Sequence, residues 1–413
     1  MIPDDMHNSA DDQSGAFGAD ASDAQNRNRR ILPDSLSDRG NAKLFAEMYA
    51  QSFRYVPELG WHRWDGTRWQ LDDEESVLWS AGEMIESMAT VDPAGNFTAA
   101  ALRSHRLSSL STTGVEAMLA QAKAAPAFAM SATCLDAEPY ALCTPAGPLD
   151  LRTGRVRAPD ARIDLHSRRT SVAPDDIPTP KWEKFLADVF GADAEGAKVI
   201  GFIQRLIGYS ITGDVGGQIV PFFCGPGGNG KSVLVEVVMK LLGDYADAAP
   251  LGLLMVHTHK THPTEIAELH GKRLVICSEV KSGDVFDEGR FMALTGGDRL
   301  KARKIGRGYF SFSPTHKIWL VGNHHPEVRA GTAGFWRRMR LIPCVNTFTP
   351  QQEIRNLADV LISEEGPGIM KWMVDGAKSY LSGQGDLTSP KKVVQATRSY
   401  ADNEDHALRL LSG

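Results

Sequence analysis

The sequence predicts an α/β fold in which a parallel sheet lies between helices, preceded by a small α+β accessory domain and a disordered N-terminal tail. Three observations carry that prediction. Apolar runs of strand length recur at 219–224, 273–279 and 317–323, separated by stretches with apolar residues at helical spacing. Pro174, Pro178 and Pro180 mark a linker before this half of the chain. The half before the linker carries short aromatic runs punctuated by turn residues instead.

Residues 1 to about 30 are rich in Asp, Ser, Ala, Asn and Gly and nearly devoid of large apolar side chains. Such a segment buries too little to offset its ordering entropy, so 1–34 is expected to be disordered. An accessory domain is expected over 35–176. It opens near Asn41, where Leu44, Phe45, Met48 and Phe53 give a helix-like stripe. Trp61, Trp64 and Trp69 flank Asp65-Gly66, a favoured type I′ pair, which predicts a β-hairpin. Helical patterns follow over 74–90 and 114–124, and Ala146–Arg157 resembles a second small hairpin. The parallel-sheet core is expected over 177–350 with a helical lead-in at 181–213, and a helical segment over 351–413.

Composition limits the possibilities. The chain has 413 residues, 42% apolar and 23% charged, enough for two or three ordinary globular domains. It has no run of about 18 apolar residues, so no membrane span is expected. The first residues lack the basic and apolar regions of a secretory signal. The five cysteines, Cys134, Cys143, Cys224, Cys277 and Cys344, are odd in number and scattered, which fits buried thiols in a reducing compartment. A cytoplasmic protein is expected. A net charge of −6 argues against coating nucleic acid with the whole surface, while leaving room for a local basic track.

Gly225-Pro226-Gly227-Gly228-Asn229-Gly230-Lys231-Ser232 fits G-x-x-x-x-G-K-[ST] at every fixed position. An apolar strand precedes it. After it, Val233, Val237 and Leu241 share one helical stripe. Strand, glycine loop and helix together aim backbone N–H groups and a helix N-terminus at phosphates. Lys231 is expected to reach the β- and γ-phosphates of ATP and the Ser232 hydroxyl to ligate Mg2+. Gly225, Gly227 and Gly230 also spell a dinucleotide pattern. That reading leaves Lys231-Ser232 unexplained and needs an acid ending a second strand, where Leu241–Asp247 shows no strand pattern.

Hydrolysis also needs an acid at the end of a neighbouring strand, and Glu279 ends the second apolar run. Asn323, after the third run, can polarise the γ-phosphate and attacking water. Arg337 and Arg338 follow, suited to neutralising charge on a transferred phosphoryl group across a subunit boundary. Arg299, Lys301, Arg303, Lys304 and Arg307 form a basic stretch without an acid, beside Gly306, Gly308, Tyr309, Phe310 and Phe312. A basic β-hairpin that grips DNA phosphates is the expectation.

In this order the elements resemble superfamily 3 DNA helicases, closest to the phage and plasmid primase-helicases of the satellite-phage and poxvirus type. The resemblance covers most of the chain, including Trp64–Trp69, Leu149–Gly154, Leu269–Leu274, Leu294–Asp298, Pro314–Leu320 and Trp336–Arg338. It implies an AAA+-like core in a ring, usually a hexamer, with ATP and Mg2+ between subunits. Glu279 would be the Walker B acid, Asn323 the sensor, and Arg337 or Arg338 the finger. Lys301, Arg303 and Lys304 would sit on a pore hairpin that pulls single-stranded or forked DNA during phage or plasmid replication. A separate primase or replication initiator would be a partner, and the setting would be a bacterial host's cytoplasm. Ser278-Glu279 stands where many members have two acids. With only about 30 polar residues ahead of the ordered part, no primer synthesis is expected. Two other readings remain: an ATP-dependent loading scaffold that unwinds little, and a P-loop kinase acting on a small molecule.

Overall fold

The computed structural model describes residues 31–249, 253–256, 263–303, 308–348 and 354–411. The tail expected over 1–34 therefore lies outside the described residues up to residue 30. The chain divides into two compact units: the part up to Met48 with Leu78–Ala125, and Tyr49–Val77 with Pro126–Gly413.

The first unit is helical, built from α1 (Asp38–Tyr49), α2 (Ser76–Glu86), α3 (Ala99–Ser109) and α4 (Thr112–Ala122). Thr98 and Ser111 cap α3 and α4 by accepting N–H bonds from Ala101 and Gly114. Buried Asn41 donates to Ser109 Oγ at 3.0 Å and meets His105 Nε2 at 2.9 Å, so its amide is satisfied inside the unit. The stripe read from Leu44 to Phe53 splits here: α1 ends at Tyr49 and Phe53 opens a strand.

In the second unit, β1 (Phe53–Val56), β2 (Gly60–Trp64) and β3 (Trp69–Leu71) form an antiparallel meander. Trp64 pairs with Trp69, so the hairpin loop is four residues rather than the expected two-residue type I′ turn. Asp65 Oδ1 organises it, accepting from Thr67 N at 2.9 Å and Arg68 N at 3.0 Å. A second meander comprises β4 (Ala141–Thr144), β5 (Gly147–Asp150) and β6 (Arg155–Val156), one strand more than the hairpin expected there.

The lead-in is two helices, α5 (Pro180–Phe190) and α6 (Ala194–Ile211). The core follows as β7 (Val220–Cys224), α7 (Lys231–Leu242), β8 (Ala246–Ala248), α8 (Pro263–Glu268), β9 (Leu274–Val280), α9 (Glu288–Thr295), hairpin β10 (Leu300–Arg303) and β11 (Tyr309–Phe312), then β12 (Lys317–Gly322), α10 (Ala333–Trp336) and β13 (Met339–Pro343). Helices α11 (Leu357–Ser382) and α12 (Lys391–Leu411) complete the described chain. The sheet order is β13-β7-β12-β9-β8, and every pairing is parallel. β8 corrects the expectation that 241–247 holds no strand; its Ala-Asp-Ala sequence is too short to show a pattern. It lies at the sheet edge, with β9 and β12 between it and β7, so Asp247 is not beside the glycine loop as a dinucleotide fold requires.

Alternate strand residues face opposite sides. Phe223, Ile276, Trp319, Val321 and Ile342 pack with α5, α6, α7 and α11, while Phe222, Val275, Cys277, Leu320 and Leu341 pack toward α9 and the β10–β11 hairpin. Burial on both faces explains why these strands read as continuous apolar runs. On edge strand β13, Leu341 N–H donates to Thr397 Oγ1 of α12 at 2.9 Å.

Candidate functional site

Because all five strands run the same way, their carboxyl ends lie together. There the loop 225–230 leaves β7 and enters α7. Gly230 has φ +81°, and a Cβ on it would stand 2.6 Å from Val189 Cγ2. A Cβ on Gly225 would stand 2.1 Å from the Cys344 carbonyl oxygen. Both positions therefore demand glycine. Lys231 opens α7 and is buried, its Nζ donating to the carbonyls of Gly225 (2.8 Å) and Pro226 (3.0 Å) and to Asn229 Oδ1 (2.8 Å). Burial pulls its pKa below the ordinary lysine value. Ser232 beside it is exposed.

The segment after β13 holds the loop in place. Asn229 Nδ2 donates to the Cys344 carbonyl at 2.6 Å, and Phe348 N–H donates to the Gly228 carbonyl at 2.8 Å. Cys344 is an inert neighbour, its thiol pushed up to about 12 by burial. Four of the five cysteines are buried as expected; Cys134 is exposed.

Register brings the next two candidates to the same end. Gly322 pairs with Cys224 on one side and with Val280 on the other. Asn323 thus follows directly beside the start of the glycine loop, and it is exposed. Between Leu320↔Cys277 and Gly322↔Val280 the register shifts, so Ser278 and Glu279 together oppose Val321. A bulge of this kind bends a strand and re-aims its residues. The side chain of Glu279 lies outside the described atoms.

Arg337 and Arg338 precede β13 and so occupy the opposite end of the sheet, where Arg338 O accepts from Val220 N at 2.9 Å. The two differ. Arg338 is 4% exposed, donating to the Gly334 carbonyl at 3.3 Å and contacting Met292 Sδ, while Arg337 is exposed. Both donate to Gln218 Oε1, at 3.3 and 3.1 Å.

The basic stretch forms the hairpin expected of it, with Arg303 paired to Tyr309. Leu300, Ala302, Phe310 and Phe312 are buried, the two rings meeting His270 edge-on. Lys301, Arg303 and Tyr309 share the exposed face, the two cations 5.0 and 5.4 Å from the Tyr309 ring centre. Arg299, also exposed, donates to Ser311 O at 3.2 Å. Lys304 and Arg307 lie outside the described residues. Two residues join the candidates only through the structure. Tyr309 has a detectable signal in its alternation with buried Phe310 and Phe312; Gln218, in Gly216-Gly217-Gln218, has no motif to announce it. Among the described residues no helix is long and apolar enough to cross a membrane, and no group of three or more His, Cys, Asp or Glu could hold a metal.

Fold and loop together define the class: an α/β protein of P-loop type. Comparison with known proteins narrows it. Residues 42–191 match the family described as D5 N terminal like, and residues 223–338 match a family of unknown function, DUF5906. A protein of Acanthamoeba polyphaga mimivirus that bears the name "Putative helicase" is 27% identical over 217 residues, covering 48% of this chain and 22% of its own length. A protein of the same name from Frog virus 3 is 28% identical over 177 residues, covering 41% and 18%. The chain thus spans less than a quarter of either relative. The solved apo NrS-1 C-terminal region aligns with 57% of this chain and 55% of its own at 17% identity, with a TM-score of 0.44. Over these segments the chain is similar to D5 N terminal like proteins and to viral proteins that bear the name of helicases.

Proposed function

We propose that this chain hydrolyses ATP at the Gly225–Ser232 loop and uses the cycle to draw single-stranded DNA along the β10–β11 hairpin, in a ring of identical subunits, hexameric by resemblance. The observation that carries the reading is the parallel register that gathers the Lys231 loop, the Glu279 bulge and Asn323 at one end of three adjacent strands. The motor occupies 177–350, flanked by an accessory domain (35–176) and a helical segment (351–413).

The loop N–H groups and the α7 N-terminus bind the phosphates. Lys231, which in this structure bonds loop carbonyls, exchanges them for β- and γ-phosphate oxygens. Ser232 and Glu279 offer the hard oxygen donors that suit Mg2+, which when bound neutralises those oxygens. Water, held by Glu279 and Asn323, attacks the γ-phosphorus; the bond to the bridging oxygen breaks and the Glu279 carboxylate takes the proton. Arg337 and Arg338 stand at the far end of the sheet from their own loop, so an arginine from here serves a neighbour's nucleotide. Its exposure supports Arg337 for that role. On the hairpin, Lys301 and Arg303 meet backbone phosphates and Tyr309 stacks on a base, the combination that grips single strands without reading sequence.

The test is ATP turnover with and without single-stranded DNA. The expected result is a rate raised by DNA, and a loss of about 100-fold or more in Lys231→Ala. Unchanged turnover in that variant removes the loop from catalysis, and a rate indifferent to DNA favours the small-molecule kinase. Reversing Lys301 and Arg303 to Glu weakens DNA binding and flattens its salt dependence, by about 0.7 in log–log slope for each phosphate no longer neutralised.

A further inference from the structure

We infer that Gln218 is a positioning residue that couples the subunit-interface arginines to the DNA hairpin, so that nucleotide bound at one is felt as DNA affinity at the other. The inference rests on the motor reading above.

Gln218 is placed between the two. It stands just ahead of β7, at the end of the sheet remote from the glycine loop. Its Oε1 accepts from Nη2 of both Arg337 (3.3 Å) and Arg338 (3.1 Å). Its Nε2 donates to the carbonyl of Gly296 at 2.9 Å. Gly296 ends α9, and Gly297, at φ +88°, turns the chain into β10. One amide therefore joins the arginine pair to the root of the hairpin.

The chemistry of the join is particular. The arginines offer only donors and Gly296 offers only an acceptor, so the bridging group must accept at one end and donate at the other. A primary amide does both; a carboxylate keeps the first bond and forgoes the second. The backbone supports the assignment. Gln218 has φ +48°, an uncommon conformation for a residue with a side chain, in a turn closed by its N–H to Val215 O at 3.1 Å. That conformation aims the amide at both partners. Arg338 keeps independent anchors on Gly334 O and Met292, so cutting the bridge leaves the local packing in place.

If the bridge carries coupling, linkage fixes what must be measured. An ATP analogue that changes DNA affinity by some factor must have its own affinity changed by DNA by the same factor. The experiment uses the full chain, a non-hydrolysable ATP analogue and a fluorescent oligothymidine, with each dissociation constant measured alone and with the other ligand saturating. In the natural protein the two factors are expected to be equal, each about 5- to 150-fold. Gln218→Glu should bring both factors near one while leaving each ligand's separate affinity within about twofold. Gln218→Asn, whose side chain tolerates the left-handed backbone but is too short to reach both partners, should do the same and protects the test should the first variant unfold. If either folded variant keeps the natural coupling factor, the inference is overturned and the motor reading stands. It is overturned equally if the natural protein binds both ligands without coupling. If the natural protein binds neither ligand, both fall.

Discussion

Arg337 and Arg338 are neighbours in sequence with opposite surroundings, and their replacements should separate cleanly. Arg338→Ala removes a buried guanidinium that ties α10, Gln218 and Met292 together, and should cost about 1–3 kcal/mol of stability. Arg337→Ala removes an exposed side chain, leaves the unfolding midpoint nearly unchanged, and stops hydrolysis. Mixing it with Lys231→Ala should restore part of the turnover, because a mixed interface can pair an intact loop with an intact arginine. Thermal melts and mixing assays decide: equal destabilisation, or no recovery on mixing, removes Arg337 from the role. At this scale the sequence is legible where chemistry is local. Eight consecutive residues announce the loop around Lys231. Which of two arginines is exposed, and what Gln218 holds, depends on partners such as Gly296 that lie far along the chain, and no local pattern encodes them.

Among the elements, α5 shows how a distant side chain completes a local structure. Its N-cap Thr179 makes no side-chain cap bond. Instead buried Glu365, from α11, accepts from the first-turn N–H groups of Lys181 and Trp182, both at 2.9 Å. Those donors are otherwise orphaned, and the helix dipole favours the carboxylate. Glu365→Ala should therefore destabilise the fold by about 1–3 kcal/mol, read as a lower urea midpoint, whereas Glu365→Gln, which keeps an acceptor, should lose less. Equal losses would assign the effect to packing alone. The lead-in helices and the apolar strands are readable from periodicity. β8 is not, because three residues form no pattern. The loop after Trp64 departs from expectation because Asp65 bonds its own turn in place of the two-residue geometry that Asp-Gly suggests.

The whole molecule gathers buried basic side chains where its strands begin. Arg273, His316 and Lys317 are all buried there, and burial with Lys317 alongside holds His316 down to about 4. His316 is neutral in the folded protein and titrates near its ordinary 6.5 when unfolded. Between those values the unfolded chain binds the extra proton, so stability is complete above pH 6.5 and falls as pH drops toward 4, by about 3 kcal/mol in all. His316→Phe should remove that share of the acid sensitivity. Urea midpoints across the range will show it as a shallower pH slope, and an unaltered slope would place the titration elsewhere. The sheet order itself is beyond sequence reading: apolar runs reveal strands but not which lies beside which, and β13 is signalled only by the arginines ahead of it.

That strand has a mechanical consequence. It begins at the arginines and ends where the Cys344 carbonyl receives Asn229, a run of five residues or roughly 17 Å of extended backbone pinned along β7. Extended chain held by a ladder neither stretches nor buckles. On the motor reading, a neighbour bearing on Arg337 would therefore bear, through this strand, on the rim of the subunit's own glycine loop.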